Sequence, residues 1–139
     1  MDKTVFWSWQ SDLDARVTRD LIRSALDQAI GMLAANLDEA DRPSLTSDTQ
    51  GVAGTPDIVA TILRKIDEAA VFAGDVTPIA VSASGKACAN PKVLIELGYA
   101  HRALGENRVL QVAVDAFNGL AAIYGVEAHS FDQIVALSR

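Results

Sequence analysis

Apolar residues follow two rhythms along this chain. Thr4 to Trp9 (TVFWSW) is almost continuously apolar and rich in β-branched and aromatic types, the pattern of a short central strand covered on both faces. From Leu13 to about Asn36, Leu13, Val17, Leu21, Ala25, Ala29 and Leu33 recur every fourth residue, with Ile22, Leu26 and Ile30 widening the stripe. That spacing predicts an amphipathic helix capped by Ser11 or Asp12. Asp38 to Pro56 is polar and holds Gly51 and Gly54, so a long loop is expected there, with one short edge strand near Ser44 to Ser47. Thr55-Pro56-Asp57 starts a second helix whose buried face is Ile58, Ile62 and Ile66. Ala70 to Gly74 reads as a core strand ending at Asp75, followed by a loop from Thr77 to Ala89. A third helix has Asn90 as N-cap, Pro91 at its first position and Gly105 as its stop. Arg108 to Val114 is the next buried strand, ending at Asp115; beyond it, Gly119 to Tyr124 gives a short helix and Ile134 to Leu137 a last strand.

Strands that alternate with helices of this length imply crossover connections, a parallel sheet and helices on both of its faces. Ligands of such sheets collect beyond the carboxyl ends of the strands. Ser8, Trp9, Ser11 and Asp12 follow the first strand, Asp48 and Thr49 the second, Asp75 and Thr77 the third and Asp115 the fourth. All are expected along one rim. The third helix starts at that rim and carries Glu96 between Ile95 and Leu97, where an ionised carboxylate is unusual. Because helical side chains lean toward the amino end, Glu96 on the second turn can reach the crevice while Val93, Leu97, Ala100 and Leu104 cover the sheet.

Length and charge narrow the possibilities. The 139 residues, half of them apolar, suit one domain with one core, whether free or fused to a longer protein. A formal net charge of -6 argues against a phosphate-tracking surface, so no nucleic-acid partner is expected. A single cysteine, Cys88, allows no internal disulfide and fits a reducing cytoplasm. The stretch MDKTVFWSWQSD lacks a signal-peptide pattern, and no apolar run approaches the ~20 residues of a membrane span.

Plainer roles compete for several of these residues. Ser11, Asp12, Thr55 and Asn90 are simply explained as caps, and Trp7 as core packing, while Trp9 at the strand's end can stack on a flat ring. Glu96 could be a solvated flank, although its apolar neighbours and Gly98 two positions on argue otherwise. Gly98 itself costs a helix roughly 1 kcal/mol relative to Ala, for which close approach by the sheet or a ligand is the expected reason. Two histidines and one cysteine have no metal-ligand spacing, so no metal is expected. No Walker loop, GxGxxG or GxSxG is present, which removes support for phosphoryl transfer, hydride transfer and serine hydrolysis.

A single carboxylate in a crevice suits cleavage of an N-glycosidic bond. Positive charge develops on the sugar as the base leaves, and the carboxylate can stabilise it, hold the hydroxyls or attack the anomeric carbon. Nicotinamide leaves NAD as a neutral molecule and needs no proton. A purine or pyrimidine usually needs a donor, for which Asp75 is the nearest candidate.

The stretches VFWSWQSD, SDTQGVAGTPDI, VFAGDVTP and NPKVLIELGYA together resemble those of bacterial TIR (Toll/interleukin receptor) and TIR-like domains, over about Thr4 to Val114. The resemblance implies a flavodoxin-like three-layer sandwich with a mainly parallel five-stranded sheet. It also implies NAD as substrate rather than cofactor, cleaved to nicotinamide and linear or cyclised ADP-ribose, commonly in antiphage defence, with self-association through TIR surfaces. It places Glu96 on the family's catalytic glutamate, and Ser8, Trp9 and Gly51 to Pro56 near nucleotide or assembly contacts. Asp48, Asp75, Thr77 and Asn90 complete the expected pocket. Cys88-Ala89-Asn90-Pro91 departs from the family's more usual Pro-Asn-Pro-Asn lead. The ELGYA stretch is also similar to nucleoside deoxyribosyltransferases, where the Glu is a covalent nucleophile. A nucleotide-binding or assembly module without turnover is the remaining alternative.

Overall fold

The structure, a computed structural model, describes residues 3–16, 18–47 and 57–113. Its elements are β1 (Thr4–Ser8), α1 (Arg19–Ala34), β2 (Ser44–Ser47), α2 (Ile58–Glu68), β3 (Val71–Asp75), β4 (Ala80–Val81), β5 (Ala87–Cys88), α3 (Pro91–Leu104) and β6 (Val109–Val112). Four strands form one parallel sheet in the order β2-β1-β3-β6. The expected helix and strand after Asp115 lie outside the described residues, as does any fifth strand they would supply.

Alternation along the strands sorts side chains into two cores. Phe6 and Phe72 are partners in register and point to one face, where their rings stack at 5.7 Å between centroids. Ile66, Leu97, Ala100 and Leu104 from α2 and α3 close over them. Trp7, Ala73 and Val112 point to the other face, against Ile22, Ala25, Leu26 and Ala29 of α1. Full burial of a Phe or Ile side chain contributes roughly 1.5–3 kcal/mol, so these contacts fix which face each helix covers. The result is a three-layer, flavodoxin-like sandwich with α1 on one side and α2 and α3 on the other.

Polar groups lock the connections. Arg108 donates from Nε to the Ala70 carbonyl at 2.8 Å and from a terminal nitrogen to the Ala69 carbonyl at 2.6 Å, tying the start of β6 to the start of β3. Asn90 caps α3 as expected, its Oδ1 accepting from the Val93 backbone N–H at 3.2 Å. Gly105 ends that helix at φ 82°, a conformation L side chains rarely adopt.

Three expectations need correction. The first helix begins at Arg19 rather than Leu13, and neither Ser11 nor Asp12 caps it. Local side-chain bonds hold this segment out of a helix: the Gln10 Oε1 accepts from the Asp12 and Leu13 backbone N–H groups, Asp14 Oδ1 from that of Arg16, and the Thr18 hydroxyl donates to the Asp14 carbonyl. The loop from Thr77 to Ala89 contains an antiparallel hairpin of β4 and β5, turned at Gly85 with φ 85°. Among the described residues, and apart from its chain neighbours and its own helix backbone, no atom lies within 4 Å of where a Cβ on Gly98 would stand, so close packing there does not explain it. Thr55 and Pro56 lie outside the described residues; Asp57 stands at the N-cap of α2 without a side-chain capping bond.

Candidate functional site

On α3 the usual order of apolar and charged residues is inverted. Glu96 is 4% exposed, while the neighbouring Ile95 is 71% exposed. Removing a carboxylate from water costs several kcal/mol that packing alone does not return. Val93, one turn earlier, is fully buried and lies 3.6 Å from where a Cβ on Gly74 would stand. Gly74 is the register partner of Ser8. Strand alternation thus puts Ser8 on the α3 side of the sheet, at the carboxyl end of β1. The Ser8 hydroxyl is fully buried and has no hydrogen-bond partner among the described residues.

Asp75 closes β3 and is buried at the same rim. Its Oδ1 accepts from the Thr77 backbone N–H at 2.9 Å and from the Thr77 hydroxyl at 2.5 Å, and its Oδ2 accepts from Gln10 Nε2 at 3.3 Å. Burial pushes the Asp75 carboxyl above the ordinary carboxylate range, against the hydrogen bonds from Thr77 and Gln10 that pull it down. Asn90 donates from Nδ2 to Asp12 Oδ2 at 2.6 Å, so the segment after β1 is tied both to β3 and to the start of the Glu96 helix.

Trp9 belongs to the other side. It packs against the core under α1, with the Arg19 guanidinium 4.8 Å and the Lys92 ammonium 5.3 Å from its ring centroid. Its expected stacking face therefore already carries cations. Together with Trp7, Arg19, Arg23, Leu45 and Ser47, Trp9 lines a cavity of about 560 Å³ between α1 and the edge strand β2.

The expected pocket residues thus divide. Glu96 and Ser8 lie on the α3 side, Asp75, Thr77 and Asn90 form a polar belt along the rim, and Trp9 turns to the α1 cavity. Asp48 lies outside the described residues. Gln10, buried at the centre of the belt, was not legible as a site residue; its only signal was an amide directly after an apolar strand. Arg19 and Arg23 were missed because basic residues four apart on a helix are ordinarily solvated. Among the described residues, no group of three or more His, Cys, Asp or Glu could hold a metal ion, and no helix is long and apolar enough to cross a membrane.

No protein-family model and no curated protein matches the chain. Among solved structures it is similar to a chain described as 2-desoxiribosyltransferase from Leishmania mexicana, with a TM-score of 0.51 and 18% identity, over 95% of this chain and 76% of that one. At that identity the likeness shows the fold.

Proposed function

We infer that the protein cleaves N-glycosidic bonds of nucleosides or nucleotides, with Glu96 acting on the sugar. The observation that carries this reading is the buried carboxylate of Glu96 on a helix whose neighbouring Ile95 is left in water. As the C1′–N bond breaks, the bonding pair leaves with the base and the sugar becomes electron-poor. The carboxylate either stabilises that charge while water adds to C1′, or bonds to C1′ itself and is later displaced by water or another base. The buried Ser8 hydroxyl offers a hydrogen bond to the sugar. Glu96 is buried, so contact with a sugar requires the side chains around it to shift.

NAD is the first substrate to test, on the TIR-like residues and on the state of Asp75. Asp75 accepts three hydrogen bonds, two on Oδ1 and one on Oδ2, so as an acid for a leaving purine it has one acceptor site left, on Oδ2, to carry the proton. Nicotinamide needs no such donor. The second reading is deoxyribosyl transfer, which the likeness to the Leishmania mexicana chain supports more directly than it supports NAD cleavage. Self-association of TIR type and a role in antiphage defence belong to the first reading.

Nicotinamide release from NAD and base exchange between deoxynucleosides are followed in parallel at high protein concentration, with Glu96→Gln beside the wild type. Cleavage in one assay that is lost in Glu96→Gln, with cooperative unfolding retained, is the expected result. Turnover undiminished in Glu96→Gln removes this carboxylate from the reaction. Silence in both assays leaves a binding or assembly module.

A further inference from the structure

The α1-side cavity contains groups that the chemistry at Glu96 does not use. Arg19 and Arg23 stand one turn apart on α1 and both line it. Neither guanidinium makes a hydrogen bond among the described residues; each has an ion-pair contact at 3.7 Å, Arg19 with Asp20 and Arg23 with Asp27. Arg19 is backed by the Trp9 ring at 4.8 Å, which restricts its orientation before any ligand arrives. Guanidinium groups match phosphate oxygens in pairs. The lining also holds Asp20, Asp27, Thr46 and Ser47, whose oxygens accept from sugar hydroxyls.

Two arginines and two aspartates balance in charge, so the lining does not favour a bare anion. It suits a group that brings a phosphate and hydroxyls together. The volume of about 560 Å³ lies within the range of roughly 300–1,000 Å³ typical of small-molecule sites. We propose that this cavity is a second ligand site, separate from Glu96, that binds a ribose phosphate group, either free or as part of a nucleotide. Arg19 and Arg23 hold the phosphate, and Asp20 or Asp27 accepts from the ribose hydroxyls.

The chain's two tryptophans, Trp7 and Trp9, both line this cavity, so intrinsic fluorescence reports on it directly. Calorimetric and fluorescence titrations use ribose 5-phosphate, adenosine 5′-monophosphate, ribose and inorganic phosphate. Saturable binding of both phosphorylated ribosides with a change in tryptophan emission is expected, at least about tenfold tighter than ribose or phosphate alone, the scale of one charge-assisted contact. Arg23→Gln alters a side chain at the surface and should weaken both by about tenfold with folding unchanged. Binding to Glu96→Gln should equal that to the wild type, which keeps this site testable even if the N-glycosidic reading fails. No binding of ribose 5-phosphate, binding insensitive to Arg23→Gln, or binding lost in Glu96→Gln would each overturn the proposal.

Discussion

Asn90 and Asp12, 78 positions apart, are joined by a 2.6 Å hydrogen bond from the amide Nδ2 to the carboxylate Oδ2. Asn90 also caps α3 through its Oδ1, so one side chain sets both the start of the Glu96 helix and the position of the segment after β1. Replacing it separates the two duties. Asn90→Ala removes both and should cost about 1–2 kcal/mol, the upper part of the range for a lost N-cap. Asn90→Asp keeps the cap but sets a carboxylate against Asp12. Its destabilisation should therefore shrink as salt screens the pair, a trend that urea unfolding at low and high ionic strength measures. Equal losses for Asn90→Asp at both ionic strengths would mean that the charge set against Asp12 contributes nothing.

Gln10 satisfies three partners from inside the rim: it donates to Asp75 and accepts from the Asp12 and Leu13 backbone N–H groups. Gln10→Leu removes a donor from the buried Asp75 Oδ2 and leaves the part-buried Asp12 and Leu13 N–H groups to water, and should cost roughly 1–2 kcal/mol. Because Asp12 is held partly through this amide, the loss should also loosen the start of α3. Faster amide exchange at Val93 in Gln10→Leu is the expected sign.

Asp75 gives stability a pH dependence with a definite sign. Burial raises its folded pKa, so the folded state holds this proton more tightly than the unfolded chain does. Its contribution is fully present below the unfolded carboxylate pKa and is lost as pH rises through the folded value. Measured against Asp75→Asn, which cannot ionise, the wild type should lose relative stability from the ordinary carboxylate range upward and then level off. Denaturant titrations across that range decide it; a relative gain would mean that the bonds from Thr77 and Gln10 outweigh burial.

What could be read from the sequence was what depends on local pattern. Thr4 to Ser8 is marked by its apolar run and the helix from Pro91 to Leu104 by Asn90, Pro91 and Gly105, and the structure places both, with the short strand expected at Ser44 to Ser47 in a polar segment, within a residue of expectation. The start of α1 was not legible, because local bonds from Asp14 and Thr18 compete with the helix and are joined by those of Gln10, whose amide is held in place by Asp75, 65 positions away. The hairpin around Gly85 was hidden in a stretch of small residues, Ala, Ser and one Gly, whose strands are only two residues long. For the site, Glu96 stood out because a carboxylate interrupts an apolar helix face. Strand alternation separates Ser8 from Trp7 and Trp9, but which helix covers each face depends on the crossover connections, which no local pattern records.

Gly74 and Gly98 make the same point as a pair. A Cβ on Gly74 would stand 2.9 Å from the Phe72 ring and 3.6 Å from Val93 Cγ1. The Phe72 ring cannot simply swing away, since it is fully buried and stacked on Phe6. Gly74→Ala should therefore destabilise by about 1–3 kcal/mol, the usual cost of overpacking, and should disturb the contact between β3 and the first turn of α3. A Cβ on Gly98 would meet no atom of another element among the described residues, and the position lies inside a helix, so Gly98→Ala should stabilise by roughly 0.5–1 kcal/mol through reduced freedom of the unfolded chain. Thermal and urea unfolding of the two variants give opposite shifts if the glycine on the strand, rather than the one beside Glu96, is the position held by close packing. A loss of stability in Gly98→Ala would instead point to a contact on the outer face of α3 in the folded protein.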